Sequence, residues 1–259
     1  MQTPHKLDWT PKQITGFWDY QSNRPSAREN YFSATHGTQI AKYTRRWLRK
    51  SPSVRVLDMG CGTGAFLSAL AQVSPGLLLA GTDFSADSVA CANSACQSIR
   101  PSPDIRTISG YPTPWGDEFF DVIYVIEVIE HLSDEMLDAM MTESSRLLKP
   151  GGRLIVTTPN DEDLERQSTC CPNCGTTFHI WQHVRSWSVS SLSTYMRQRG
   201  FEPVRVKATL IEPFQIRAAA WLARLLRLSR KRPPHLVGVF KRCARTSAPN
   251  PAALPETTL

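Results

Sequence analysis

The run Val56-Leu57-Asp58-Met59-Gly60-Cys61-Gly62-Thr63-Gly64 constrains this chain more than any other stretch. Val54, Val56 and Leu57 supply a short apolar strand, and Ala65-Phe66-Leu67-Ser68-Ala69-Leu70-Ala71 has helical spacing. Glycines at 60, 62 and 64 permit a tight turn between them and let a ligand lie where any Cβ would clash. The helix start offers unpaired N–H groups to the same gap. A small molecule is expected there.

The residues around the glycines narrow the choice. A dinucleotide fingerprint reads G-x-G-x-x-G, whereas here the spacing is G-x-G-x-G and an acid, Asp58, ends the strand. A carboxylate repels a pyrophosphate and attracts a cationic amino-acid end. Leu77-Leu78-Leu79-Ala80-Gly81-Thr82-Asp83-Phe84 reads as a second strand ending in an acid, placed where such units grip ribose hydroxyls. Phe84 beside it can cover a purine. An amino-acid end, a ribose and a base together describe S-adenosylmethionine.

VLDMGCGTG (56–64), GTDFS (81–85), FDVIYVIEVIEHL (120–132) and LLKPGGRLIVTTPN (147–160) stand in the order and spacing of one family. Over roughly residues 50–210 the chain resembles the class I S-adenosylmethionine-dependent methyltransferases of the type 11, ubiquinone O-methyltransferase-like kind. The resemblance implies a Rossmann-like α/β fold: a seven-stranded, mostly parallel sheet with helices on both faces and an antiparallel last strand. It places Asp58, Gly60 and Gly62 at the methionine end of the cofactor and Asp83 at the ribose. Cys61, Gly64, Phe84, Tyr111 and Glu127 complete the expected cofactor-binding set. Many relatives carry an Asp-Ala pair after the next strand, near the adenine amino group; this chain has Ser109-Gly110-Tyr111. Either the Gly110 backbone or the Tyr111 ring substitutes. The competing readings are a Rossmann-like dehydrogenase and a fold that has lost its ligand.

Alternation of strand and helix independently argues for a parallel sheet covered on both faces. Strands are expected at 54–58, 77–82, 104–109, 120–127 and 153–158, with helices at 64–72, 86–99 and 134–148. Pro150-Gly151-Gly152 reads as the turn into the fifth strand. A helix from Ser190 to Arg199 should stop at Gly200, and Val204–Val206 with Leu236–Phe240 forms the final strand pair. Residues 1–50 read as an aromatic arm (Trp9, Phe17, Trp18, Tyr20, Tyr31, Phe32) followed by a helix from Gly37 to Lys50. In relatives the corresponding segment is a lid over the cofactor; the alternative is a surface arm packed by its own aromatics. The catalytic domain spans 51–245 with insertions at about 161–187 and 209–233, and 246–259 reads as a disordered tail.

No apolar leader is visible at the start and no run is long enough to span a membrane, so a cytoplasmic location is expected. The seven cysteines are an odd number and three cluster at Cys170, Cys171 and Cys174, which fits a reducing compartment with metal chemistry. Nine Lys or Arg and no acid lie between Pro213 and Pro255, leaving −2 for the remainder of the +7 total. Within this stretch Phe214–Arg230 reads as a basic amphipathic helix: either a peripheral membrane contact, or a helix packed on the sheet or on a second copy. Nucleic acid is disfavoured because no basic–aromatic interleaving appears.

Cys171-Pro172-Asn173-Cys174-Gly175 is a knuckle that points two thiolates at one spot, and His179 and His183 follow at a spacing that shares a helical face. The C-x₂-C-x₄-H-x₃-H set suits a closed, tetrahedral structural zinc. Alternatives are Cys170 replacing Cys171, unligated cysteines, or an open zinc that activates the acceptor. Glu127-Val128-Ile129-Glu130-His131-Leu132 is similar to the E-x-x-E-H of the ubiquinone-pathway enzymes, where these positions are associated with a divalent metal. That resemblance would put Mg²⁺ on Glu127, Glu130 and His131. The plainer version has Glu127 lining the cofactor site and the other two starting a helix.

His131 is the best visible general base, since its ordinary pKa lies near neutrality. The reading reached is methyl transfer to a small-molecule hydroxyl of a glycan, lipid-linked compound or secondary metabolite. A quinone-like phenol, a non-catalytic cofactor-binding scaffold, and RNA or protein methylation are the alternatives.

Overall fold

In the computed structural model, which describes residues 4–48, 53–211 and 233–243, an N-terminal arm precedes a regular α/β alternation. The arm holds β1 (His5–Lys6), α1 (Pro11–Ser22), α2 (Pro25–Glu29) and α3 (Phe32–Thr44). Then come β2 (Arg55–Met59), α4 (Ala65–Val73), β3 (Leu78–Asp83), α5 (Ala86–Ala95), β4 (Asp104–Thr107), β5 (Phe120–Ile126), α6 (Asp134–Leu147) and β6 (Leu148–Pro159). A hairpin of β7 (Ser168–Cys170) and β8 (Thr176–His179) interrupts the alternation before α7 (Val189–Gln198), β9 (Phe201–Thr209) and β10 (His235–Arg242).

The main sheet has seven strands in the order β4-β3-β2-β5-β6-β10-β9. Every pair from β4 to β6 is parallel, and β10 runs antiparallel to both neighbours. This is the expected Rossmann-like class with its reversed last strand. Strand β5 is buried at all seven positions, as a central parallel strand must be. Its alternation divides the core: Val122, Tyr124 and Ile126 pack with Phe66, Leu70 and Ile40 on one face. Ile123 and Val125 pack with Leu137, Met140 and Leu192 on the other.

Local signals set the helix ends. Ser85, Ser133 and Ser188 each accept a hydrogen bond from the backbone N–H three residues on, at the starts of α5, α6 and α7. Gly200, at φ +78°, follows α7 as expected. The helix expected over 37–50 begins earlier, at Phe32, and ends at Thr44 in a short 3₁₀ turn, Arg45–Trp47. Pro150-Gly151-Gly152 lies inside β6 rather than before it. The register jumps there from Leu148 opposite Phe120 to Arg153 opposite Val122, a bulge that keeps the flanking pairs in the sheet.

Sequence patterning did not reveal a second, three-stranded sheet. In it β1 pairs in parallel with β8, and β8 pairs antiparallel with β7, so the start of the chain is tied to the insertion after β6. No helix among the described residues is long and apolar enough to cross a membrane. The basic helix expected over 214–230 and the tail over 246–259 lie outside the described residues.

Candidate active site

The glycine turn is stitched to the neighbouring strand by its own backbone. Gly60 and Cys61 N–H both donate to the Thr82 carbonyl, at 2.7 and 2.9 Å. Gly62 N–H donates to Asp83 Oδ2 at 2.9 Å, and Ser85 N–H to Asp83 Oδ1 at 2.9 Å. The turn needs φ of +83° at Gly60, where an added Cβ would stand 2.6 Å from Val128 Cγ2. Gly62, at φ +50°, has open space where its Cβ would be. Beyond it lies a cavity of about 390 Å³.

Asp58, Gly60, Gly62, Asp83, Phe84 and Tyr111 form one side of that cavity. Cys61 borders it, although its thiol packs against Gly81, and burial pushes that thiol well above its ordinary range. Gly64, expected to touch the cofactor, does not line the cavity. Its Cβ position is 3.0 Å from Ala92 on α5, so its lack of a side chain lets the start of α4 pack closely on α5.

The cavity is electrostatically unusual. Burial and then the nearby Asp83 lift the Asp58 carboxyl to about 8, and its Oδ1 has no hydrogen-bond partner among the described residues. Burial raises Asp83 as well, against the pull of its backbone N–H donors. Glu127 sits in the left-handed region at φ +52°, its Oε1 without a hydrogen-bond partner among the described residues, and burial pushes it up to about 8. The buried Tyr111 hydroxyl also has no hydrogen-bond partner among the described residues, and its ring meets Phe84 edge-on at 5.9 Å. Polar groups left so are costly unless a ligand satisfies them. The chemistry of this set fits S-adenosylmethionine: acids for a cationic end and a ribose, an aromatic pair for a base, and glycine backbone where the ligand passes.

The other end of the cavity joins three distant segments. Trp18 from α1 donates its indole N–H to Gln182 Oε1 at 3.0 Å, and Gln182 Nε2 donates to the His131 carbonyl at 2.7 Å. The His131 ring lies 4.8 Å from both Trp18 and His183. Tyr31, Phe32 and His36 of the arm also line the cavity, so the arm roofs it as well as packing by its own aromatics. His131 is buried, and desolvation with the adjacent His183 holds it well below its usual range. Glu130, buried beside it, accepts from Thr158 Oγ1 at 3.0 Å and is held well above the usual carboxylate range by burial and by Glu127. Residues 127–132 form turns rather than a helix start, because α6 begins only at Asp134.

Neither expected metal set is assembled. The knuckle turn does form, with Gly175 N–H donating to the Cys171 carbonyl at 2.9 Å and Cys174 Sγ 3.0 Å from Thr176 Oγ1. His179, however, ends strand β8, and three extended residues carry it about 10 Å from Thr176. The expected Cys171, Cys174, His179, His183 site is therefore split, the cysteines at the hairpin tip and the histidines at its base. Glu127 is near enough to raise Glu130, but among the described residues its carboxylate does not gather with Glu130 and His131 within 4.8 Å as a Mg²⁺ set. Among the described residues, ligand-capable atoms within 4.8 Å of one another gather as Glu130, His131 and His183, and as Glu162, His179 and His183. Glu162, which no motif marked, has Oε2 2.5 Å from His183 Nδ1 and Oε1 3.5 Å from His179 Nε2.

A family model described as a methyltransferase domain matches residues 27–206. The ubiquinone biosynthesis O-methyltransferase of Rhizobium etli is 30% identical over 112 residues, 43% of this chain and 44% of that protein. Its counterpart from Brucella ovis is 33% identical over 112 residues with the same coverage. The chain thus matches under half the length of these relatives. Among solved structures, the [4+2]-cyclase SpnF superposes with a TM-score of 0.66 at 18% identity, covering 94% of this chain and 100% of the other. An S-adenosylmethionine-dependent methyltransferase from Mesorhizobium loti gives 0.57 at 19%, covering 78% and 96%.

Proposed function

The chain belongs to the methyltransferase-domain family, and on that footing we propose that it transfers the methyl group of S-adenosylmethionine to a hydroxyl of a small-molecule acceptor. The observation that carries this reading is the continuity of one cavity. It runs from the Asp58–Gly62–Asp83 cradle to the histidines at Glu130–His131 and His183. The cofactor supplies an electrophilic methyl on a sulfonium, so alignment and desolvation do most of the remaining work.

The residues divide that work. Asp58 Oδ1 accepts from the cationic amino end, which favours its ionised form. Each Asp83 oxygen spends one lone pair on a loop N–H and keeps another for a ribose hydroxyl. Phe84 and Tyr111 flank the base. Trp18, Tyr31 and Phe32 cover the cavity and keep water from competing with the acceptor. A hydroxyl must also lose its proton, and the histidines at this end of the cavity offer an imidazole nitrogen to receive it.

A glycan, a lipid-linked compound or a secondary metabolite suits this reading. A phenol or quinol is the second acceptor class, favoured by the aromatic roof and by the names of the similar Rhizobium and Brucella proteins. Calorimetry with S-adenosylmethionine, followed by mass spectrometry of a metabolite extract incubated with isotope-labelled donor, tests the proposal. Tight binding that Asp58→Ala weakens, with label appearing on an oxygen, is expected. Wild-type protein that binds no donor, or label found only on nitrogen or carbon, would sink it.

A further inference from the structure

We infer that His183, oriented by Glu162, is the base that takes the acceptor's proton, a role that motif reading gave to His131. The inference rests on the hydroxyl-transfer reading above. The difference between the two histidines is which of them has a carboxylate to fix its tautomer.

His183 Nδ1 stands 2.5 Å from Glu162 Oε2. A carboxylate only accepts, so the proton sits on Nδ1 and the lone pair of the neutral ring is left on Nε2. His179 lies against the other oxygen of Glu162. His179 Nδ1 accepts from the Trp181 and His183 backbone N–H groups, at 3.2 and 3.3 Å, which leaves the His179 proton on Nε2, 3.5 Å from Glu162 Oε1. The two rings stack at 4.4 Å, and only the His183 N–H hydrogen-bonds the carboxylate, the His179 Nε2 contact being a longer electrostatic one. His183 meanwhile lines the cavity, within 4.8 Å of ligand-capable atoms of Glu130 and His131.

His131 has no carboxylate partner of this kind. Its ring faces the backbone of Gln182 and Glu127, its Nδ1 has no hydrogen-bond partner among the described residues, and its Nε2 is 3.9 Å from Glu130 Oε1, too far for a hydrogen bond. Its backbone carbonyl is engaged by Gln182 and its ring packs on Trp18 and His183, which makes it part of the wall that holds His183 in place. In the step itself, the acceptor oxygen forms a bond to the methyl carbon as the carbon–sulfur bond breaks. The hydroxyl proton passes to His183 Nε2, and the imidazolium so formed is stabilised by Glu162. The proton leaves to solvent with the products. Glu162 is a positioning residue, acting through His183.

The test uses full-length protein with ¹⁵N-labelled histidine and reads side-chain tautomers by long-range ¹H–¹⁵N correlation. The His183 resonances, identified by their loss in His183→Gln, should show a protonated Nδ1 and a bare Nε2, and Glu162→Gln should shift that ring toward the other tautomer. A protonated Nε2 in the wild type overturns the inference. So does a saturable cobalt(II) spectrum that His183→Gln abolishes, since the lone pair would then serve a metal.

Transfer to two phenolic probes supplies the second readout. With catechol, His183→Gln should lower kcat by roughly 10²–10⁴-fold. With the more acidic 4-nitrocatechol, ionised near neutral pH, the loss should be much smaller. Equal losses on both probes, or acidity-dependent loss in His131→Gln instead, would assign His183 a structural role. Wild-type protein that binds S-adenosylmethionine and methylates neither probe refutes the phenol acceptor class, whatever tautomer His183 shows.

Discussion

The indole N–H of Trp18 donates to the carboxamide oxygen of Gln182 at 3.0 Å, across 164 residues of chain. This bond and the β1–β8 pairing close the N-terminal arm against the insertion after β6, with the cavity beneath. Gln182 is fully buried and sits at φ +62°, so its side chain is committed to this contact and to the His131 carbonyl.

Trp18→Phe keeps the ring and removes the donor, leaving a buried carbonyl oxygen without a partner. That costs about 1–3 kcal/mol, drawn mainly from arm docking. Backbone hydrogen exchange should accelerate across Pro11–Ser22 while the amides of β5 stay protected, and donor affinity should fall. Unchanged exchange in α1 would show that the bond does not hold the arm.

Gly60→Ala combines two penalties. A residue with a Cβ at φ +83° costs about 1–2 kcal/mol. The new methyl would also press on Val128, adding about 1–3 kcal/mol of overpacking. Urea unfolding should register the sum, and calorimetry should show donor affinity lost as the turn shifts. Gly62→Ala meets no neighbour within 4 Å and should cost less stability, yet still weaken binding because its methyl points into the cavity.

Asp58 gives a pH signature. Free carboxyls titrate at about 4, whereas burial lifts Asp58 and Glu127 in the folded chain to about 8. Between those values the folded state binds more protons than the unfolded state, so stability falls as pH rises through the window. Asp58→Asn should flatten that slope when urea midpoints are compared at pH 5 and pH 8. Binding of a cationic donor at pH 7 should release protons, seen as different apparent heats in phosphate and Tris, and Asp58→Asn should reduce the release. A release unchanged in this variant would detach Asp58 from the donor's charged end.

The Tyr111 hydroxyl is buried without a hydrogen-bond partner among the described residues, a cost of about 1–3 kcal/mol to the empty protein. Tyr111→Phe should therefore raise the unliganded Tm and lower donor affinity together. If affinity holds while stability rises, the hydroxyl does not touch the base.

What the amino-acid order alone determined is whatever a single βα unit contains. The strand, the glycine turn with its required positive φ, and the two strand-ending acids at 58 and 83 follow from backbone sterics and local periodicity, and so does the parallel sheet built by repeating that unit. Gly64 marks the edge of this legibility, because its role toward α5 or toward a ligand depends on how closely a later helix packs. The far end of the site was settled only by tertiary structure. Trp18, Gln182, Glu162, His183 and His131 meet because β1 joins β8 and because β8 carries His179, and with it the segment to His183, away from the cysteine turn. A fixed spacing such as C-x₂-C-x₄-H-x₃-H specifies proximity only when the intervening backbone conformation is known, and strand and helix separate the same residues by very different distances.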